Sequence, residues 1–243
     1  MNNCRLPKNA KLWFSLLVLC SIPIRTNGDE AVVVTGGVSL WKWEKTKMEP
    51  HDHWWLNFIR ASRIRIEQLK QTLGPQTQIT WLVYAPAYQA RQAQEPEDLF
   101  SIIRSVQEKY GVNLVMFNTT DQLCDHLNGG ADRRTNKIVS FDYFGHSNSD
   151  CMMFDYSNEV GSASKAWLHK NDLRSKLKRG IFARNAHVQS WGCYQGETFE
   201  GPSMAALWHQ ATGAPMTAAI GKTQYMLNQL PTLSSANGRW VVR

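Results

Sequence analysis

The apolar positions along this chain follow two alternating rhythms. Ala31-Val32-Val33-Val34-Thr35 is a short unbroken run closed by Gly36-Gly37, and it reads as a buried strand. From Trp55 the positions Phe58, Ile59, Ser62, Ile66, Leu69 and Leu73 recur at helical spacing until Gly74-Pro75 stops them, which predicts a long amphipathic helix. Ile79 to Tyr84 is the next strand, followed by a turn-rich loop holding Pro86 and Pro96. A second helix is expected from about Glu97, with Leu99, Ile102, Ile103, Val106 and Tyr110 on one face and Gly111 as its stop. Asn113 to Phe117 reads as a strand, Thr120-Asp121 as the cap of a short helix carrying Leu123 and Leu127, and Asn128-Gly129-Gly130 as its end.

Lys137 to Phe144 is the next strand, ending at Gly145, and a polar loop follows it. A helix is expected from about Lys165 to Lys178, with Leu173, Leu177 and Ile181 aligned. Ala186 to Trp191 forms another strand. Gly201 to Gly213 then predicts a helix with Pro202 near its first turn and a glycine just past its end, and residues 214–220 make a last short strand. Strands alternating with helices imply right-handed crossovers and a mostly parallel sheet covered on both faces. The expected fold is α/β, a three-layer α/β/α sandwich. Without an internal repeat, residues 29–243 read as one domain, in which 29–75 form an N-terminal extension or the first β/α unit.

Composition changes this picture little. Apolar residues make up 43% and charged residues 19%, as in a globular protein. The formal charge of +7 invites a nucleic-acid partner, but Arg5, Lys8, Lys11 and Arg25 all lie in the first 28 residues, which hold no acid. The remainder has 23 bases against 20 acids, too even a balance for a nucleic-acid surface. The first 28 residues themselves read as a signal peptide: bases precede the apolar run Leu12 to Ile24, which is too short to span a bilayer comfortably, and cleavage is expected near Gly28. The protein is thus expected to be exported to a periplasmic or extracellular space, with membrane contact only through an uncleaved leader.

Cys4 and Cys20 belong to that leader, which leaves Cys124, Cys151 and Cys193, an odd number with no zinc-site spacing. His51-Asp52-His53 offers metal-ligand types, but no further ligand follows at a recognisable spacing, and Asp52 reads as a helix cap. No metal or organic cofactor is expected.

Two strand ends carry the chemistry. Phe144-Gly145-His146-Ser147 presents an imidazole, and Trp191-Gly192-Cys193-Tyr194-Gln195-Gly196 presents a thiol. In an open α/β sheet, ligands bind beyond the carboxyl ends of the strands, so neighbouring strands would bring the two side chains together. A thiol is a strong nucleophile only as the thiolate, and an adjacent imidazole takes its proton. Backbone N–H groups at Ser147, Gly192 and Cys193 are candidates for stabilising an oxyanion, and the glycines at 145 and 192 would let the chain turn sharply before each reactive residue.

Strand, His with a small residue after it, helix, strand, Gly-Cys with a glycine shortly after, then a helix running into Thr212-Gly213-Ala214: this order resembles the caspase-like cysteine peptidases, which include caspases, legumains and gingipains. The likeness spans roughly Ile79 to Tyr225. It implies the caspase-haemoglobinase-type fold, His146 as general base, Cys193 as nucleophile and a peptide or protein substrate. Gly145-His146-Ser147 departs from the usual His-Gly pair, and the Cys193 motif is closer to a looser bacterial form. Asp150, Asp155 and Glu197 are candidates for a pocket selecting Arg or Lys, and Lys222 for one selecting an acid. Two other readings stay open at this point. Ser147 lies in a partial Gly-x-Ser-x-Gly pattern that would make it a serine nucleophile with His187 or His209 as partner. The same fold could also serve as a catalytically idle binding module.

Overall fold

The computed structural model describes residues 28–45, 54–155, 166–199 and 201–243. The expected signal peptide, all but its last residue Gly28, and the His51-Asp52-His53 motif lie outside them. Seven strands build the central sheet: β1 (Glu30–Thr35), β2 (Gln78–Tyr84), β3 (Asn113–Phe117), β4 (Ile138–Phe144), β8 (Phe182–Ser190), β9 (Thr217–Ile220) and β12 (Arg239–Val242). Their spatial order is β12-β9-β8-β4-β1-β2-β3. Every pairing is parallel except that of β12 with β9. The carboxyl ends of β4 and β8 are therefore neighbours.

The uninterrupted apolar run of β1 reflects its central position, where both faces are covered. Ala31 and Val33 pack with the helices α2 (Asn57–Thr72) and α4 (Leu99–Tyr110). Val32 and Val34 face the opposite cluster, which takes in α5 (Thr120–Gly129), α6 (Leu173–Lys176) and α7 (Met204–Thr212). Side chains alternate across a strand, so one β-branched run feeds two cores and gives the α/β/α three-layer arrangement. The helix ends follow local chemistry. Asp98 caps α4 by accepting the Ser101 N–H at 3.0 Å, and Gly111 ends it at φ 57°. Ser203 caps α7 through the Ala206 N–H, and Gly213 ends it at φ 86°.

Four sequence expectations need correction. The stretch after β2 contains a helix, α3 (Ala85–Gln92), because Pro86 falls in its first turn, where a missing N–H loses nothing. Thr119, one residue earlier than expected, caps α5 by accepting the Gln122 N–H at 3.2 Å. The helix expected over Lys165 to Lys178 is replaced by strand β7 (Trp167–His169), a 3-10 turn (Lys170–Asp172) and the single turn α6. Leu173, Leu177 and Ile181 are all buried together, so their spacing marked a core face without marking a long helix. The polar loop after His146 contains a small antiparallel sheet, β5 (His146–Ser147), β6 (Cys151–Met153) and β7. Its hairpin is closed by Asn148, whose Oδ1 accepts the N–H groups of Asp150 and Cys151 at 2.9 and 2.8 Å. Beyond β9 the chain adds the hairpin β10 (Thr223–Gln224) and β11 (Thr232–Leu233) before the edge strand β12. A four-residue helix α1 (Trp41–Glu44) follows β1.

Candidate functional site

Beyond the paired register Tyr143↔Ser190, the Trp191 N–H still donates to the Tyr143 carbonyl at 2.9 Å, so β4 and β8 run side by side up to the two motifs. There they touch. The Ser147 hydroxyl donates to the Cys193 carbonyl at 2.8 Å. A Cβ placed on Gly192 would lie 2.0 Å from Ser147 Oγ and 3.2 Å from the Gly145 carbonyl oxygen.

The glycines serve a different purpose from the expected sharp turns. Neither Gly145 nor Gly192 has a positive φ. Gly145 leaves room for the Tyr143 hydroxyl, which a Cβ would meet at 2.5 Å, and Gly192 leaves room for Ser147. The left-handed residue of the motif is Tyr194, at φ 64°, a conformation that costs a non-glycine side chain energy and here aims the chain just after Cys193. Hydrogen bonds hold this loop against β9: Tyr194 N–H to the Gly221 carbonyl and Gly196 N–H to the Ala219 carbonyl, each 2.9 Å. On these contacts Gly192→Ala is expected to push the two strand ends apart and to cost roughly 1–3 kcal/mol by overpacking. Adding Ser147→Gly should recover part of that loss, as read by urea unfolding.

Cys193 Sγ accepts the Thr223 N–H at 3.3 Å and lies 3.6 Å from Thr223 Oγ1. The Thr223 hydroxyl in turn donates to the Trp191 carbonyl at 2.8 Å. The His146 ring packs edge-on against Phe58 of α2, with centroids 5.1 Å apart, and Phe58 packs against Tyr225 at 4.7 Å. Tyr225 joins the two motifs, because its hydroxyl accepts the Gly145 N–H at 3.2 Å and donates to the Trp191 carbonyl at 3.4 Å. Beneath His146, the buried Tyr143 hydroxyl lies 2.6 Å from the His146 carbonyl oxygen, and burial pushes its pKa well up.

The backbone donors differ in orientation. Asn148 N–H bonds to the Cys151 carbonyl across the β5–β6 pair, and bonded and non-bonded pairs alternate in an antiparallel ladder, so Ser147 turns its N–H away from β6. The Gly192 N–H donates to Ser190 Oγ at 3.4 Å, beneath the loop.

The pocket candidates do not converge. Asp150 sits in the β5–β6 turn and pairs with Lys170 at 2.6 Å. Asp155 is buried and accepts the Tyr84 hydroxyl at 3.0 Å, and burial, with this carboxylate beside it, raises the Tyr84 pKa. Glu197 accepts the Gly221 N–H at 2.8 Å and so fixes the turn leading into β10. Lys222 occupies that turn, its N–H donating to Ser235 Oγ, next to the thiol's partner Thr223. Glu197 and Lys222 thus lie on the Cys193 side of the site, and Asp150 lies at the far end of the hairpin.

For the serine reading, Ser147 is buried, its hydroxyl is directed to a carbonyl, and the chain continues into a β-hairpin where a nucleophile elbow needs a helix. Burial raises the Cys124 thiol to about 12 and, with Asp150 and Asp172 nearby, the Cys151 thiol to about 11. Cys124, Cys151 and Cys193 are all free thiols. Among the described residues, no three His, Cys, Asp or Glu side chains converge as a metal-binding group. The sequence marks Phe58 only as a core position of its helix and does not mark Thr223 and Tyr225 as site residues, and only the alternation Thr223-Gln224-Tyr225 after Gly221 hints at a strand there. No family model matches the chain, and neither a curated protein nor a solved structure matches it.

Proposed function

We propose that this protein is a cysteine-dependent hydrolase, a caspase-like endopeptidase in which Cys193 is the nucleophile and His146 the general base. The observation that carries the reading is the contact of the two strand ends, with Ser147 Oγ bonded to the Cys193 carbonyl. It brings the residues flanking the imidazole and the thiol together at the carboxyl edge of a parallel sheet, where such folds bind their ligands. In the reaction, His146 takes the Cys193 proton, and Sγ attacks the peptide carbonyl carbon. The oxyanion faces the N–H groups of Ser147 and Cys193. Collapse breaks the C–N bond, the leaving amine takes the proton back from His146, and an acyl thioester remains. Water then attacks the thioester with His146 again as base, which releases a carboxylic acid and restores the thiol.

The substrate is a peptide or protein chain, and the site of action lies outside the cytoplasm if residues 1–28 act as the leader their pattern suggests. No helix among the described residues is long and apolar enough to cross a membrane.

The test is competitive alkylation. At pH 7 to 8, iodoacetamide should modify Cys193 well ahead of Cys151, whose thiol is held at about 11, and His146→Ala should slow Cys193 modification. Equal labelling of the two thiols, or labelling of Cys193 that ignores His146, would reject the reading.

A further inference from the structure

A buried carboxylate lies one layer below the two motifs. Asp142, in the interior of β4, is 0% exposed. Its Oδ2 accepts Arg65 Nε at 2.9 Å from α2 and the Ser140 hydroxyl at 3.0 Å. Its Oδ1 accepts the indole N–H of Trp191 at 3.0 Å and lies 4.0 Å from His187 Nε2. Arg65 and His187 are the charged and titratable groups that meet this carboxylate. A buried ion pair contributes little net stability compared with apolar packing of the same volume, so what this one does to its neighbours matters more than the pair itself.

Its most consequential neighbour is Trp191. The indole lies flat on Phe144, at 5.7 Å and 4° between planes, and Trp240 packs edge-on against it at 5.5 Å. Phe144 is the residue before Gly145-His146, and Trp191 is the residue before Gly192-Cys193. The stack therefore clasps the roots of both motifs. The Trp191 carbonyl also accepts the hydroxyl of Thr223, the residue whose N–H reaches Cys193 Sγ. Holding the indole by its N–H fixes the orientation of this stack.

We infer that Asp142 is a positioning residue for the Cys193–His146 pair and acts through the indole N–H of Trp191. The inference rests on the hydrolase reading above. Reactive geometry is sensitive to displacements of an ångström, so loosening the indole acts on chemistry more than on folding.

The experiment compares Cys193 alkylation rates by mass spectrometry in the full chain, with Cys151 labelling and thermal midpoint as controls. Trp191→Phe keeps a flat ring on Phe144 and removes the donor. It should slow Cys193 labelling by about tenfold or more, leave Cys151 labelling unchanged and lower the thermal midpoint by only a few degrees. Two charge-neutral pairs guard against misfolding. Arg65→Met with Asp142→Asn keeps an acceptor for the indole and should retain fast labelling, whereas Arg65→Met with Asp142→Leu removes it and should be slow. Wild-type rates in Trp191→Phe, or equal rates in the two pairs, overturn the positioning role while His146-dependent labelling of the wild type leaves the hydrolase reading standing. Wild-type Cys193 that labels no faster than Cys151 removes both.

Discussion

Cys193→Ala is expected to remove all detectable peptide cleavage, a loss of at least about 10⁴-fold in kcat, because no other described group replaces the thiol as nucleophile. The Ser147 hydroxyl is committed to the Cys193 carbonyl, the Thr223 hydroxyl 3.6 Å from Sγ is committed to the Trp191 carbonyl, and Cys151 is a residue of the β5–β6 hairpin with its thiol held at about 11. His146→Ala should lose about 10²–10⁴-fold, the usual range for a general base, with KM nearly unchanged. Residues acting in one step are not additive, so the double variant should be no slower than Cys193→Ala alone. The measurement is a peptide-library digest followed by kinetics on the best substrate. Cleavage that survives Cys193→Ala would assign the activity elsewhere. Labelling of Ser147 by a fluorophosphonate with activity intact in Cys193→Ala would restore the serine mechanism.

The largest effect on stability is expected from Arg65→Ala. The variant leaves the Asp142 carboxylate buried without its guanidinium, which costs about 3–5 kcal/mol. For a chain of this size that lowers the thermal midpoint by roughly 10 °C. The loss should depend on pH, with a sign set by His187. In the wild type, burial lowers the His187 pKa, Asp142 opposes that shift, and Arg65 adds to it. Removing Arg65 takes away one of the two causes that lower it, so its folded-state pKa rises toward the unfolded value. In the wild type the lowered pKa costs stability at low pH, a cost that is absent above about pH 6.5 and grows as pH falls, and the variant carries less of it. Arg65→Ala should therefore be closer to wild type at pH 5.5 than at pH 8 in urea unfolding. A penalty independent of pH would mean that His187 does not respond to Asp142.

Much of the layer architecture was legible because it is local. The β1 run is marked by its own unbroken apolar residues, and the Gly111 stop of α4 and the Gly201 to Gly213 stretch satisfy helix-end backbone groups within a few residues, so these patterns survive in the sequence. The segment after His146 was illegible for the opposite reason. Cys151 to Met153 and Trp167 to His169 are strands only because they pair with each other and with His146 and Ser147, and nothing in a polar stretch announces a partner. Asp142 was visible as a charge inside Lys137-Ile138-Val139-Ser140-Phe141-Asp142-Tyr143-Phe144, an oddity that signals a buried partner without saying which. Arg65, the partner, lies 77 residues away on α2.

The sequence by itself determined the alternation of strands and helices, the three-layer α/β class, and the presence of an imidazole and a thiol at two strand ends. Hydrophobic period and glycine punctuation encode those features one element at a time. The tertiary structure alone decided that β4 and β8 are neighbours, that Gly145 and Gly192 are glycines for closeness rather than for turning, and that Phe58, Thr223 and Tyr225 close around the motifs. Those facts depend on contacts between residues far apart in the chain. Only the packed sheet creates them.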